Sequence, residues 1–244
     1  MNHPNAKSPR GINIGVFAYN FPHKKTQDFL FHLKALGFNV QLVIAADPVK
    51  LKIPPPSVRT KIRHRALLHP AEIAKSLGFK YRVVPHNSQD AVSLLKEYQI
   101  DLGVIAGARI LKRHIIEAVP LGIINFHPGL IPEARGLDAV LWSIYRDIPL
   151  GVTAHLIDER IDAGRILIKR KIPIYQDDSI YDLTERVYEF QLEILEEAIE
   201  KAVRNEGVPI AGDGGSYNRK MSPDIEQRTI EMVTDYVARH ADKA

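Results

Sequence analysis

Four short, almost uninterrupted apolar runs, residues 12–18, 40–45, 102–106 and 122–125, constrain this chain more than any other feature. They are too short for buried helices and lack the polar alternation of a strand with one wet face. Each therefore reads as a strand covered on both sides. Helical segments separate them. Residues 26–36 place Phe29, Leu30, Leu33 and Leu36 at helical spacing and stop at Gly37, and residues 70–77 stop at Gly78. Residues 88–98 carry Ala91, Leu94 and Leu95 on one face with Ser88 as N-cap, and residues 114–119 form a further helix. A short strand at 81–85 completes the series. Buried strands alternating with helices imply an α/β fold built on a single doubly wound, mostly parallel sheet. Ligands of such sheets sit beyond the carboxyl ends of the strands.

After Pro132 the character changes. A polar loop leads to a helix at 137–145, strands follow at 151–157 and 164–174, and Asp178 or Ser179 caps a helix running to about residue 203. Its Ile180, Leu183, Val187, Phe190, Ile194 and Ala198 make one apolar stripe. Residues 206–215 are glycine-rich and 225–239 are amphipathic. No internal repeat or second globular domain is visible. The expected organisation is a disordered tail over 1–10, one domain over 11–205, and a helical tail over 206–244 that packs on the core or on a partner subunit.

Composition narrows the chemistry. With 244 residues the chain can bury a full domain core, and with no Cys it has no disulfide, thiolate nucleophile or Cys-held metal. The ten His show no H-E-x-x-H spacing, no Ser sits in a G-x-S-x-G setting, and no metal is expected. Gly212 to Gly215 follows no strand and opens no helix, so it is not read as a phosphate loop. The polar start and the lack of a long apolar run give the expectation of a soluble cytoplasmic protein without membrane contact. A net charge of +4 suits an anionic small molecule and falls short of a nucleic-acid binder. The positive charge is concentrated in residues 50–65, where Lys50, Lys52, Arg59, Lys61, Arg63 and Arg65 occur without an acid. Such a run is read either as a solvated loop or as a loop reaching over the site, with Arg63 and Arg65 meeting a substrate phosphate.

Candidate chemistry sits at the end of the run 122–125. Asn125 and His127 flank Phe126, so at the end of a strand they share one face. Asp162, in a turn-like setting before Ala163 and Gly164, adds a carboxylate. An amide can polarise a carbonyl and hold an oxyanion, an imidazole can move the proton of an attacking amine, and a carboxylate can orient that imidazole. His155 is read as a supporting histidine and Trp142 as packing.

The segment Gly122-Ile123-Ile124-Asn125-Phe126-His127-Pro128-Gly129-Leu130-Ile131-Pro132, then Arg135-Gly136-Leu137, Trp142, the run 151–155 and the run 158–164 resemble the catalytic core of the 10-formyltetrahydrofolate-dependent formyltransferases. That family includes glycinamide ribonucleotide transformylase, methionyl-tRNA formyltransferase, amino-sugar N-formyltransferases and formyltetrahydrofolate deformylases. The resemblance implies a Rossmann-like fold, catalysis by Asn125, His127 and Asp162, and 10-formyltetrahydrofolate as co-substrate. It also implies a folate site at Arg109, Ile110 and Leu111 with Ile157 and Asp158. One departure is Gly129, where the family usually has Ser or another polar residue.

The resemblance leaves the amine acceptor to be chosen. Where glycinamide ribonucleotide transformylase wraps a phosphate on a Gly-Ser-Asn segment, this chain has Tyr19, Asn20, Phe21, Pro22, His23, Lys24 and Lys25. The residues after the long helix are too few for the tRNA-binding barrel of methionyl-tRNA formyltransferase, and the first strand begins too early for the extra domain of the deformylases. A nucleotide-linked amino sugar is the expected acceptor. Glycinamide ribonucleotide, hydrolysis of the donor and a catalytically silent folate- or nucleotide-binding module stand as alternatives, and a homodimer is left open.

Overall fold

The computed structural model of the protein describes residues 8–50, 53–159, 164–210 and 217–242. In chain order the first half contains β1 (Ile14–Tyr19), α1 (Lys24–Ala35), β2 (Val40–Ala46), α2 (Pro70–Leu77), β3 (Lys80–Val83), α3 (Gln89–Glu97), β4 (Leu102–Ile105), α4 (Arg113–Ile116) and β5 (Ile123–His127). The second half contains α5 (Ala139–Tyr145), β6 (Gly151–Leu156), β7 (Arg165–Lys171), α6 (Ile180–Glu193), α7 (Leu195–Val203), β8 (Val208–Pro209), α8 (Pro223–Glu231) and α9 (Val233–His240).

One sheet holds all the strands in the order β3-β2-β1-β4-β5-β6-β7-β8. From β3 to β5 every pairing is parallel, and from β5 to β8 every pairing is antiparallel. The chain builds outward from β1 to β3, then returns to the other side of β1 for β4. That return creates a switch point, which leaves a crevice at the carboxyl ends of β1 and β4.

Alternation along the inner strands explains why both faces are covered. Val16 and Ala18 of β1 join the larger core, with α1, α6 and α7, whereas Phe17 joins a second core with α3 and α4 on the opposite face. Fully burying a side chain such as Phe17 contributes roughly 2–3 kcal/mol relative to exposure. This is why the inner strands are apolar at successive positions.

Local signals set the helix ends. Ser88 Oγ accepts from the Ala91 N–H to open α3, and Ser179 forms a capping box with Asp182 to open α6. Gly78 closes α2 in the left-handed region at φ 78°.

Three features depart from the sequence expectation. The single helix expected up to about residue 203 is two helices, α6 and α7, meeting at Ile194, whose ψ of 2° departs from helical geometry and interrupts the run. The Ala198 N–H still bonds to the Ile194 carbonyl at 3.0 Å, and both Ile194 and Ala198 stay in the larger core. α6 packs on β6 and α7 on β7 and β6, so the two helices cover successive parts of the sheet. Second, β8 adds an edge strand of two residues, too short to announce itself by periodicity. Third, Arg10 is tied to Glu196 and lies over the Phe38 ring, within the segment read as a tail. Residues 217–242 contribute Met221, Val233, Tyr236 and Val237 to the larger core.

Candidate active site

A cleft of about 940 Å³ lies at the carboxyl ends of β1, β4 and β5. Asn125 and His127 line it from β5, and residues 106–110 line it from the turn after β4. Phe126 goes the other way, edge-on against Phe29 with ring centroids 5.2 Å apart. That anchor fixes which way the alternate residues 125 and 127 must project.

The neighbouring strand sets the orientation of both side chains. Asn125 pairs with His155 and His127 with Thr153 across the β5–β6 ladder. The Asn125 Nδ2 group donates to His155 Nε2 at 3.2 Å, and because an NH₂ group only donates, His155 carries its own proton on Nδ1. His155 is fully buried, so this amide is aimed from behind by a fixed ring. His127 Nε2 donates to the Ala134 carbonyl at 2.7 Å, which fixes the plane of the ring. Thr153 Oγ1 donates to the Gly129 carbonyl at 2.7 Å and accepts from the Ile131 N–H at 3.1 Å, pinning the loop that supplies Ala134.

Gly129 has a packing reason. A Cβ there would lie 2.9 Å from both the Ala134 carbonyl oxygen and the Ala139 Cβ, closer than real contacts allow. The loop folds so tightly around His127 that a larger residue would push on the carbonyl that holds the imidazole.

Asp162 lies outside the described residues. Arg109 and Ile110 line the cleft, and Ile110 is 63% exposed beside it. Neither backbone N–H makes a hydrogen bond to a described residue, so both can donate to the polar edge of a flat heterocycle. Leu111 does not face the cleft: it is buried in the second core, against which Ile157 also packs. Asp158 is half-buried beside the close approach of Gly164 to the backbone of residues 156–158. Arg63 and Arg65 are exposed and do not line the cleft. From the same segment Ile53, Thr60, Lys61, Ile62 and His64 do.

Several cleft residues were not singled out by the sequence. Lys25 Nζ donates to the Phe126 carbonyl and to Gln191 Oε1, each at 2.8 Å. His23 caps α1 by accepting from the Thr26 N–H, and its imidazole is pushed down to about 4, first by burial and then by the charges of Lys25 and Lys61. The Tyr188 hydroxyl donates to Asp28 at 2.6 Å, and burial followed by that carboxylate pushes its phenol far up. A signal for this corner was available: Lys24 and Lys25 occupy the first turn of a helix with no acid there, where the helix dipole disfavours cations. Among the described residues no group of three or more His, Asp or Glu could hold a metal ion, and no helix is long and apolar enough to cross a membrane.

Residues 36–199 match the model of the family described as "Formyl transferase". The chain belongs to the formyl transferase family. Among curated members, the methionyl-tRNA formyltransferase of Roseiflexus sp. (strain RS-1) is 35% identical over 121 residues, which covers 49% of this chain and 37% of that protein. The chain thus spans well under two thirds of the length of the curated relatives it matches. Among solved formyl transferase structures, glycinamide ribonucleotide transformylase 1 from Symbiobacterium toebii superposes with a TM-score of 0.61 at 24% identity, covering 80% of this chain and 88% of that one. A sugar N-formyltransferase from Shewanella sp. FDAARGOS_354 superposes with a TM-score of 0.58 at 21% identity, covering 90% and 87%. The fold is therefore that of the formyl transferases: an α/β sheet of eight strands, mixed, with parallel pairings from β3 to β5 and antiparallel pairings beyond, and C-terminal helices.

Proposed function

We propose that the protein transfers a formyl group from 10-formyltetrahydrofolate to the primary amine of a small phosphorylated acceptor, with a nucleotide-linked amino sugar as the preferred class. The observation that carries this reading is the single cleft shared by Asn125, His127 and the backbone of residues 106–110. In it the backbone of Arg109 and Ile110 holds the pterin edge of the donor. Asn125 donates to the carbonyl oxygen of the formyl group as negative charge develops there, while His127 takes the proton of the attacking amine. The amine nitrogen forms the new bond to the formyl carbon, and the folate nitrogen leaves with a proton. Asp162 is assigned to orienting and proton relay on family resemblance. His155 and the Ala134 carbonyl hold the two working groups in place before either substrate arrives, which lowers the reorganisation required in the transition state.

The acceptor class follows from the first loop and the cleft wall. Tyr19 and Phe21 stack at 4.9 Å, and His23 already takes the Thr26 N–H, so this loop is not built as a backbone cradle for phosphate. Cationic side chains line the cleft instead: Lys24, Lys25 and Lys61. A volume of about 940 Å³ is at the upper end for small-molecule pockets and accommodates two substrates. Methionyl-tRNA formyltransferase, glycinamide ribonucleotide transformylase and sugar N-formyltransferases are all similar to this chain, so the test is a screen across their acceptors. The protein is incubated with 10-formyltetrahydrofolate and, separately, nucleotide-linked 3- and 4-amino sugars, glycinamide ribonucleotide, or no amine. Tetrahydrofolate release only with an amino sugar is the expected result. Release without amine would make the protein a hydrolase, and no release with any amine would leave a binding module.

A further inference from the structure

Residues 53–65 form one wall of the cleft, yet no helix or strand runs through them and most are exposed. Their position depends on side-chain ties, which fall into two sets. On the α6 side, Thr184 Oγ1 donates to the Thr60 carbonyl at 2.7 Å, Arg59 Nε donates to the Tyr181 hydroxyl at 3.2 Å, and His64 Nε2 lies 3.4 Å from Glu185 Oε1. On the other side a single carboxylate holds the segment. Glu226 of α8 accepts from the Ser57 backbone N–H at 2.6 Å, from the Ser57 hydroxyl, and from Lys220. Lys220 also donates to Asp138 Oδ2 at 2.9 Å, and the same oxygen accepts the Met221 N–H at 3.0 Å. Asp138 stands in the cleft wall just before α5.

Only 2% of the Glu226 side chain is exposed. Burial alone would favour its neutral form, but Lys220 and the two Ser57 donors outweigh that and hold the carboxyl below its usual range. A buried ionic cluster adds little net stability compared with apolar packing, so its use lies in fixing geometry. Here it joins three segments far apart in sequence. Two of its members, Lys220 and Glu226, lie beyond the 36–199 region that matches the family model. Lys61, four residues after Ser57, lines the cleft and has no carboxylate partner among the described residues.

We propose that Glu226 is a positioning residue through which the C-terminal segment holds residues 57–64 against the cleft, so that Lys61 presents positive charge to an anionic acceptor. The identity of that anion as the phosphoryl group of an acceptor rests on the functional reading above; the tie itself does not. The C-terminal helices thereby set acceptor binding without touching either substrate.

The test compares the full chain with Ser57→Pro, Glu226→Ala, Glu226→Gln and Lys61→Met. Ser57→Pro removes both donors at an exposed position next to three prolines, so it reports on the tie even if Glu226→Ala fails to fold. Tryptic cleavage within residues 58–65, calorimetric binding of inorganic pyrophosphate and binding of 10-formyltetrahydrofolate are measured for each. In Ser57→Pro and Glu226→Ala, cleavage within 58–65 should speed up about tenfold, as expected for losing a charge-assisted hydrogen bond that closes a local segment. Pyrophosphate should weaken several-fold, as in Lys61→Met, with donor binding unchanged, and Glu226→Gln, which keeps an acceptor for Ser57, should restore part of the effect. Unchanged cleavage in Ser57→Pro overturns the proposal, and so does faster cleavage with wild-type pyrophosphate binding. Failure of the wild type to bind 10-formyltetrahydrofolate would sink the functional reading and leave the positioning result to be judged by the other two measurements.

Discussion

Lys25 Nζ lies 2.8 Å from the carbonyl oxygen of Phe126, the peptide oxygen immediately before His127. A cation at the amino end of α1 thus touches the backbone of β5, more than a hundred residues away in sequence and across the cleft floor. Lys25→Met keeps the length of the stem and removes the charged donor. Because a hydrogen bond from a charged group contributes about 1.5–3 kcal/mol, this variant should lower the melting temperature by several degrees and turnover by about tenfold or more. Wild-type turnover in Lys25→Met would show that the contact does not position His127.

For the two groups on β5, removal of a side chain that acts on developing charge or on a proton costs roughly two to four orders of magnitude in rate. His127→Ala should lose that much turnover while binding 10-formyltetrahydrofolate within several-fold of the wild type. Asn125→Asp keeps shape but places an acceptor where an oxyanion must form, so it should be at least as damaging as Asn125→Ala. Steady-state rates with the best acceptor of the screen decide both, and retention of most activity in His127→Ala would remove His127 from the mechanism.

Gly129→Ser supplies the polar side chain that the family resemblance implies at this position and should nonetheless harm this protein. The added Cβ would meet Ala134 and Ala139 at 2.9 Å, and overpacking of this kind costs about 1–3 kcal/mol. Thermal melting should show the loss. A larger fall in turnover than in stability would mean that displacing the Ala134 carbonyl has also released His127.

The pH dependence of stability should carry the signature of His23. Its folded pKa is pushed down to about 4 from 6.5, so between those values the unfolded chain binds the proton and the folded chain does not. Stability from this group is therefore complete above about 6.5 and is lost as pH falls toward 4. His23→Asn keeps a capping acceptor without a titrating ring and should flatten the melting temperature across that window, measured by differential scanning fluorimetry from pH 7 downward. An unchanged slope would place the acid sensitivity elsewhere.

Charge reversal should distinguish the cations of residues 50–65. Lys61→Glu, in the cleft wall, should raise the acceptor KM more than Arg63→Glu with Arg65→Glu together, because exposed charges away from the bound ligand are screened within about 8–10 Å at ordinary ionic strength. The salt dependence of KM should weaken in the Lys61 variant. A larger effect from the double reversal would return the phosphate contact to Arg63 and Arg65.

What the sequence determined by itself is local and periodic. The apolar runs specify strands buried on both faces, Ser88 and Ser179 open their helices, Pro70 and Gly78 bound α2, and the spacing of Asn125 and His127 puts both on one face of a strand end. Each of these follows from interactions within a few residues, or from whether a stretch needs water on one side. Tertiary structure decided what lies far apart in the chain. The break at Ile194 separates a helix that packs on β6 from one that packs on β7 and β6, which no local signal encodes, and Leu111 turns into the second core because Ile115 and Ile123 await it there. The approach of Lys25 to Phe126, the aiming of Asn125 by His155 and the tie from Glu226 to Ser57 each join segments separated by thirty residues or more. Such contacts form only when the whole sheet has closed, because their partners are brought together by the burial of other residues and not by anything in their own neighbourhood.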